Sequence, residues 1–195
     1  MDNLEKIPEK KSVVILVILS YITLGIYPFI WYIKRSKELN NLNTQAKLKK
    51  LISVIPLSLY ILIIIFAIAG AYLIYSNPTQ YSSQVSSISQ IPIEILIISS
   101  IILVFGLLLF IFILALGFKT RKILNQALIN KGEKVKISGF YTFFFNFLYL
   151  QYEINRIIDD KENNKRRGPL IWFIILYILP VLISLVTIIL AILGI

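Results

Sequence analysis

The sequence predicts an all-α integral membrane protein with three long transmembrane helices. Two aromatic segments should re-enter or reach halfway into the membrane, and amphipathic helices should lie on the cytoplasmic side. Three observations carry this reading. The 195 residues are 57% hydrophobic and 15% charged, with a mean hydropathy of +0.81, far to the apolar side of soluble domains. Stretches 51–75, 93–118 and 169–195 each run about 25 residues, with Glu94 as their only acidic or basic side chain. A helix of that length rises roughly 38 Å, enough to cross the ~30 Å hydrocarbon layer with some tilt. All 20 Lys and Arg residues fall within 1–12, 34–50, 119–136 and 156–167.

Short loops rich in Lys and Arg stay in the cytoplasm. The chain is therefore expected to form a single membrane domain over 1–195. In it, 34–50 is a basic cytoplasmic helix, 51–75 crosses outward, 76–92 is an uncharged outer loop and 93–118 returns. Next come a second basic cytoplasmic helix at 119–136, an aromatic half-membrane segment at 137–152 and a cytoplasmic stretch at 153–168. The span 169–195 ends outside, and Pro169 suits its first turn. This places a multi-pass protein in the cell membrane, N-terminus cytoplasmic and C-terminus outside.

Segment 13–33 has positive charge on both flanks, as does 137–152. If both dip in and return, every cation shares one side; if 13–33 crosses, only Lys6, Lys10 and Lys11 are misplaced. A turn at membrane depth must have its backbone groups covered by protein, whereas a proline kink in a continuing helix costs about 3 kcal/mol. The reading leans to a hairpin with its tip near Leu24 to Pro28, and a kinked crossing is the alternative. Lys10 and Lys11 before VVILVILSYITLGI imitate the start of a secretory signal, but no A-x-A-like site follows, so the segment is expected to be retained.

The chain also repeats itself weakly. Lys34 to Asn41 can be set over Lys119 to Gln126, with Tyr152 to Asn155 as a shorter third copy; upstream, GIYPF at 25–29 resembles GFYTF at 139–143. Leu150, Ile154, Ile157 and Ile158 fall on one helical face, as do Ile123, Leu124, Ala127 and Leu128, and Gly132 can end that second helix.

Thr23, Gly25, Tyr27, Trp31 and Tyr32, followed by KELN at 37–40, resemble the signature of a family of small prokaryotic membrane proteins, domain of unknown function 4234. The resemblance is dense over 12–42 and diffuse afterwards. It implies an integral membrane protein of several helices and no particular activity. The family favours a small residue where Pro28 stands.

Chemistry is constrained mainly by what is missing. The sequence has neither cysteine nor histidine, which removes disulfides, the usual zinc ligand sets and any Ser-His or Cys-His pair. Asp159, Asp160 and Glu162 are interleaved with cations and read as a solvated helix end. No catalytic or metal residue, no cofactor and no nucleic-acid role is expected. Tyr27, Trp31 and Tyr32 are expected to anchor at the inner leaflet, as are Tyr141, Tyr149 and Tyr152. The expected partners are membrane lipids and another membrane protein. Lys34, Arg35, Lys37, Lys119, Arg121, Lys122, Arg166 and Arg167 would contact anionic lipid or that partner. The leading expectation is a non-enzymatic accessory or scaffold protein. The rival is a transporter or channel element with a polar cavity at Thr142 and Asn146, between the two aromatic segments. Oligomeric state is not legible.

Overall fold

The computed structural model describes residues 8–76, 92–133, 136–158 and 186. The expected span 169–195 apart from position 186, nearly all of the outer loop, Arg166, Arg167 and the acidic cluster lie outside the described residues. Among those described there are five helices and no strand: α1 Val13–Ile22, α2 Tyr27–Asn40, α3 Lys50–Ser76, α4 Ile93–Asn130 and α5 Gly139–Ile158.

Two of them, α3 and α4, are long and apolar enough to cross a membrane. Their most apolar windows are only 11% buried, which sets them apart from the core helix of a soluble protein. The buried positions of α3 are Ser53, Pro56 and Gly70, while Ile61, Ile65, Ile68 and Tyr72 face outward. Small residues inside and large apolar residues outside is the arrangement of helices that pack in lipid. Gly70 lets α4 come close: a methyl group there would sit 3.4 Å from the Ile98 side chain. Phe66 and Phe105 meet edge to face beside it, ring centres 5.9 Å apart.

At 38 residues α4 is some 57 Å long by its rise per residue, nearly twice the hydrocarbon thickness. The span and the basic helix expected at 119–136 are therefore one continuous rod. Its C-terminal part carries Leu116, Ile123, Leu124 and Leu128 into the buried core. Gly132 ends it as expected: at φ +80° it lets its own N–H reach Ile129 O and the Glu133 N–H reach Leu128 O.

The core is built by α1, α2, the end of α4 and α5, with Leu16, Trp31, Tyr32, Leu39, Leu148, Leu150 and Ile154 all buried. The basic helix expected at 34–50 stops at Asn40 and instead begins at Tyr27, so the rings and the cations share one helix. Pro28 lies in its first turn, where a missing N–H costs nothing; it opens a helix and kinks none. Helix α5 is broken at Asn146, whose backbone takes φ 40°, ψ −121°.

The ten residues of α1 rise about 15 Å, half of a bilayer core. The chain then turns through a cap in which Leu24 N–H bonds Tyr21 O and Gly25 N–H bonds Ser20 O. Both turn residues are left-handed, Leu24 at φ 50° and Gly25 at φ 86°. Tyr60 of α3 donates its hydroxyl to the Leu24 carbonyl, covering a group the turn leaves open. Gly25→Ala should cost about 1–2 kcal/mol, the penalty for an L side chain in that backbone region. Tyr60→Phe should cost about 1 kcal/mol. Thermal unfolding in detergent measures both.

Candidate functional site

The motif residues each have a mechanical part in this turn. Thr23 donates its hydroxyl to Leu19 O (2.7 Å) and accepts the Tyr27 N–H (2.9 Å), so one side chain ends α1 and starts α2. Gly25 supplies the left-handed step. Trp31 and Tyr32 point inward and are 2% and 1% exposed. They are packing residues and not the lipid-facing anchors expected of them. Two ring pairs hold Trp31, with Tyr32 at 5.0 Å and with Phe147 at 5.8 Å.

Helical phase decides which cations follow them inward. Trp31, Arg35 and Leu39 are spaced i, i+4, i+8 and all three are buried, while Lys34 and Lys37 on the other face are exposed. Arg35 is thus not a surface contact for lipid. Its guanidinium donates to Gln151 Oε1 at 2.9 Å, to the Glu9 carbonyl and to the Glu38 carboxylate. Gln151 is fully buried and uses all its polar capacity. It accepts from Trp31 Nε1 at 2.9 Å as well as from Arg35, and donates to Glu9 O and to Asn155 Oδ1. The Glu9 N–H reaches Glu38 Oε2 at 3.2 Å. The residues before α1 and the far part of α2 are therefore side by side, and the chain between them doubles back.

Three asparagines perform one operation along this polar collar. Asn40 accepts the Leu48 N–H at 2.6 Å and donates to Leu48 O at 2.7 Å. Asn155 accepts the Lys11 N–H at 3.1 Å and donates to Lys11 O at 2.6 Å. Asn125 accepts the Ile137 N–H at 2.8 Å, and Arg121 Nε donates to Ile137 O at 2.8 Å. Leu48, Lys11 and Ile137 each stand two positions before a helix that starts at Lys50, Val13 or Gly139. Both backbone groups of each are thus satisfied by side chains of a helix at the basic end, where no regular ladder reaches them. The residue before each asparagine, Leu39, Ile154 or Leu124, is buried.

Of the other expected contacts, Lys122 is exposed and Lys119 is half-buried; Arg121 is held by Ile137. Thr142 and Asn146 are both hydrogen-bonded within the protein. Thr142 is fully buried, its hydroxyl 2.7 Å from Ser138 O. Asn146 accepts the Tyr32 hydroxyl proton and donates to Ile113 O at 3.2 Å. The space between the aromatic segments is an apolar cleft of about 410 Å³, lined by Val17, Leu24, Gly25, Pro28, Phe147 and Leu148 together with Ser20 and Tyr21. Gln151 and Asn155 carry no functional reading in the sequence. Ile154 and Ile158 follow Gln151 at i+3 and i+7, the spacing that puts this amide on the inward face of α5.

Comparison with curated proteins and with solved structures gives no match. A family model described as Domain of unknown function (DUF4234) matches residues 11–126, from the residue clamped by Asn155 almost to the end of α4. The match takes in the hairpin, α2, α3 and most of α4 and leaves α5 outside it. Covering more than half of the chain and the Thr23–Tyr32 motif with it, this match makes the protein a member of the DUF4234 family.

Proposed function

We propose that this is a non-enzymatic, multi-pass membrane protein that presents a basic cytoplasmic face to anionic lipid or to a membrane partner, as an accessory or scaffold. In this reading α1 and the start of α2 form a re-entrant hairpin, with the N-terminus inside. The observation that carries it is the tie between the two ends of that hairpin: the Glu9 backbone bonds to Arg35 and Glu38. Residues so joined sit in one compartment, and it is the one that holds Lys34, Lys37 and Lys122. The ten-residue length of α1 supports the same conclusion, since it is half of what a crossing needs. The three asparagine clamps are read as copies of one repeated unit, each fixing the backbone where a chain segment leaves the basic face.

Cysteine labelling tests this directly, because the chain has no cysteine of its own. Lys10→Cys should react with a membrane-impermeant maleimide only after the inner face is opened, while Gln84→Cys should react from outside. Labelling of Lys10→Cys in intact cells would reverse the hairpin. The transporter reading puts its site between the two repeated aromatic segments, near Thr142 and Asn146, and the cleft between those segments has a mainly apolar lining. Liposomes holding the purified protein should retain ions and small solutes, and a protein-dependent flux would favour that rival.

A further inference from the structure

At the base of the hairpin lies a cleft of about 710 Å³. Lysines from three separate segments converge on it: Lys11 before α1, Lys34 and Lys37 of α2, and Lys50 at the start of α3. Two carboxylates line the same space, Glu9 and Glu38. Glu38 is already engaged by the Arg35 guanidinium, and Glu9 pairs with Lys11 at 3.8 Å. Lys34, Lys37 and Lys50 form no ion pair among the described residues, and all three are exposed. Three uncompensated ammonium groups around one concavity repel each other unless an anion sits between them.

We propose that this cleft binds a phosphate group, with Lys34, Lys37 and Lys50 around it. Ammonium groups on flexible stems suit phosphate as point charges. The cleft's place beside the start of α3 points to the headgroup of an anionic phospholipid as the source, since Lys50 is the last charged residue before the apolar run of that helix begins. A soluble phosphate ester offers the same chemistry. The inference deepens the basic-face reading by naming a defined site and ligand class where that reading needs only a diffuse positive surface.

The test is native mass spectrometry of the full chain in detergent, with phosphatidylglycerol or phosphatidylcholine at equal concentration. The wild type should retain one phosphatidylglycerol in preference to phosphatidylcholine. K34Q/K37Q should lose at least about tenfold in that retention, at a contribution near 1 kcal/mol per lysine. K131Q/K136Q removes the same charge elsewhere and should change it little. Equal loss in the two double variants, or no loss in K34Q/K37Q, overturns the site. All four positions are exposed, and an unchanged gel-filtration profile with unchanged thermal unfolding confirms folding in each variant. Adding glycerol phosphate in excess separates the sources: displacement assigns the site to a soluble ester, and retention assigns it to the lipid. Because the Lys10→Cys labelling reports orientation alone, loss of the phosphate site and loss of the basic-face topology give different results.

Discussion

Replacing Gln151 by leucine is expected to destabilise the protein by about 3–5 kcal/mol. Leucine nearly matches the volume of glutamine but neither accepts nor donates. The Trp31 indole N–H loses its acceptor, Arg35 loses one of three, and the Glu9 carbonyl and Asn155 lose a donor. Each buried group left unpaired costs about 1–3 kcal/mol, and more where the group is charged. Arg35 has no reserve, since its Nε is buried and has no partner among the described residues. Gln151→Glu keeps the acceptor toward Trp31 and Arg35 and should cost less. Thermal unfolding in detergent gives the size of the loss. Faster labelling of a cysteine at Lys10 gives its place, since residues 9–11 are held by the same network. Wild-type melting of Gln151→Leu would mean that the hairpin is held by apolar packing alone.

Gly117→Ala is expected to cost about 1–3 kcal/mol, the usual penalty for overfilling a packed site. A methyl group at Gly117 would stand 2.8 Å from Asn146 Nδ2 and 3.3 Å from both Cγ and Oδ1. The amide has little room to yield. It is held by Tyr32 and by Ile113 O, on a backbone already at φ 40°. A left-handed non-glycine residue of this kind is itself strained by about 1–3 kcal/mol, so Asn146 stays only because α2, α4 and α5 converge on it. Asn146→Ala removes the atoms that the new methyl would strike. The Gly117→Ala penalty should therefore shrink by about 1 kcal/mol in that background, a coupling read from a double-mutant cycle. Additive losses would show that the close approach of α4 and α5 at Gly117 does not depend on the amide.

Much of this architecture is written in residue patterns that need no partner. The apolar runs at 51–75 and 93–118 became α3 and the first part of α4, because length and composition alone decide whether a helix suits lipid. Gly132 ended its helix, and the Leu150–Ile154 face turned inward, through the same local rules. Thr23 and Gly25 marked a real break in the chain. Pro28 fits either a hairpin tip or a kink as long as the start of α2 is unknown; a helix beginning at Tyr27 makes it a first-turn proline.

The errors share a cause. Arg35 was grouped with Lys34 and Lys37 because adjacent cations look alike in a row of letters, yet successive helix positions differ by about 100° in direction. The spacing Trp31, Arg35, Leu39 already held the correct phase. Nothing in the chain, however, announced that an amide 116 residues away would receive the guanidinium. The asparagine clamps were half visible in the same way: Asn40, Asn125 and Asn155 recur after an apolar residue, but their partners lie 8, 12 and 144 positions off.

The sequence by itself determined the helical class, the two long lipid-compatible rods and the position of the turn, since each depends on hydrophobic length or on one residue's backbone freedom. Only the tertiary structure decided which cations face water, which rings face protein and where the chain before α1 is tied. Those outcomes turn on pairing polar groups that burial would otherwise leave unsatisfied, and such pairing exists only once distant segments have met.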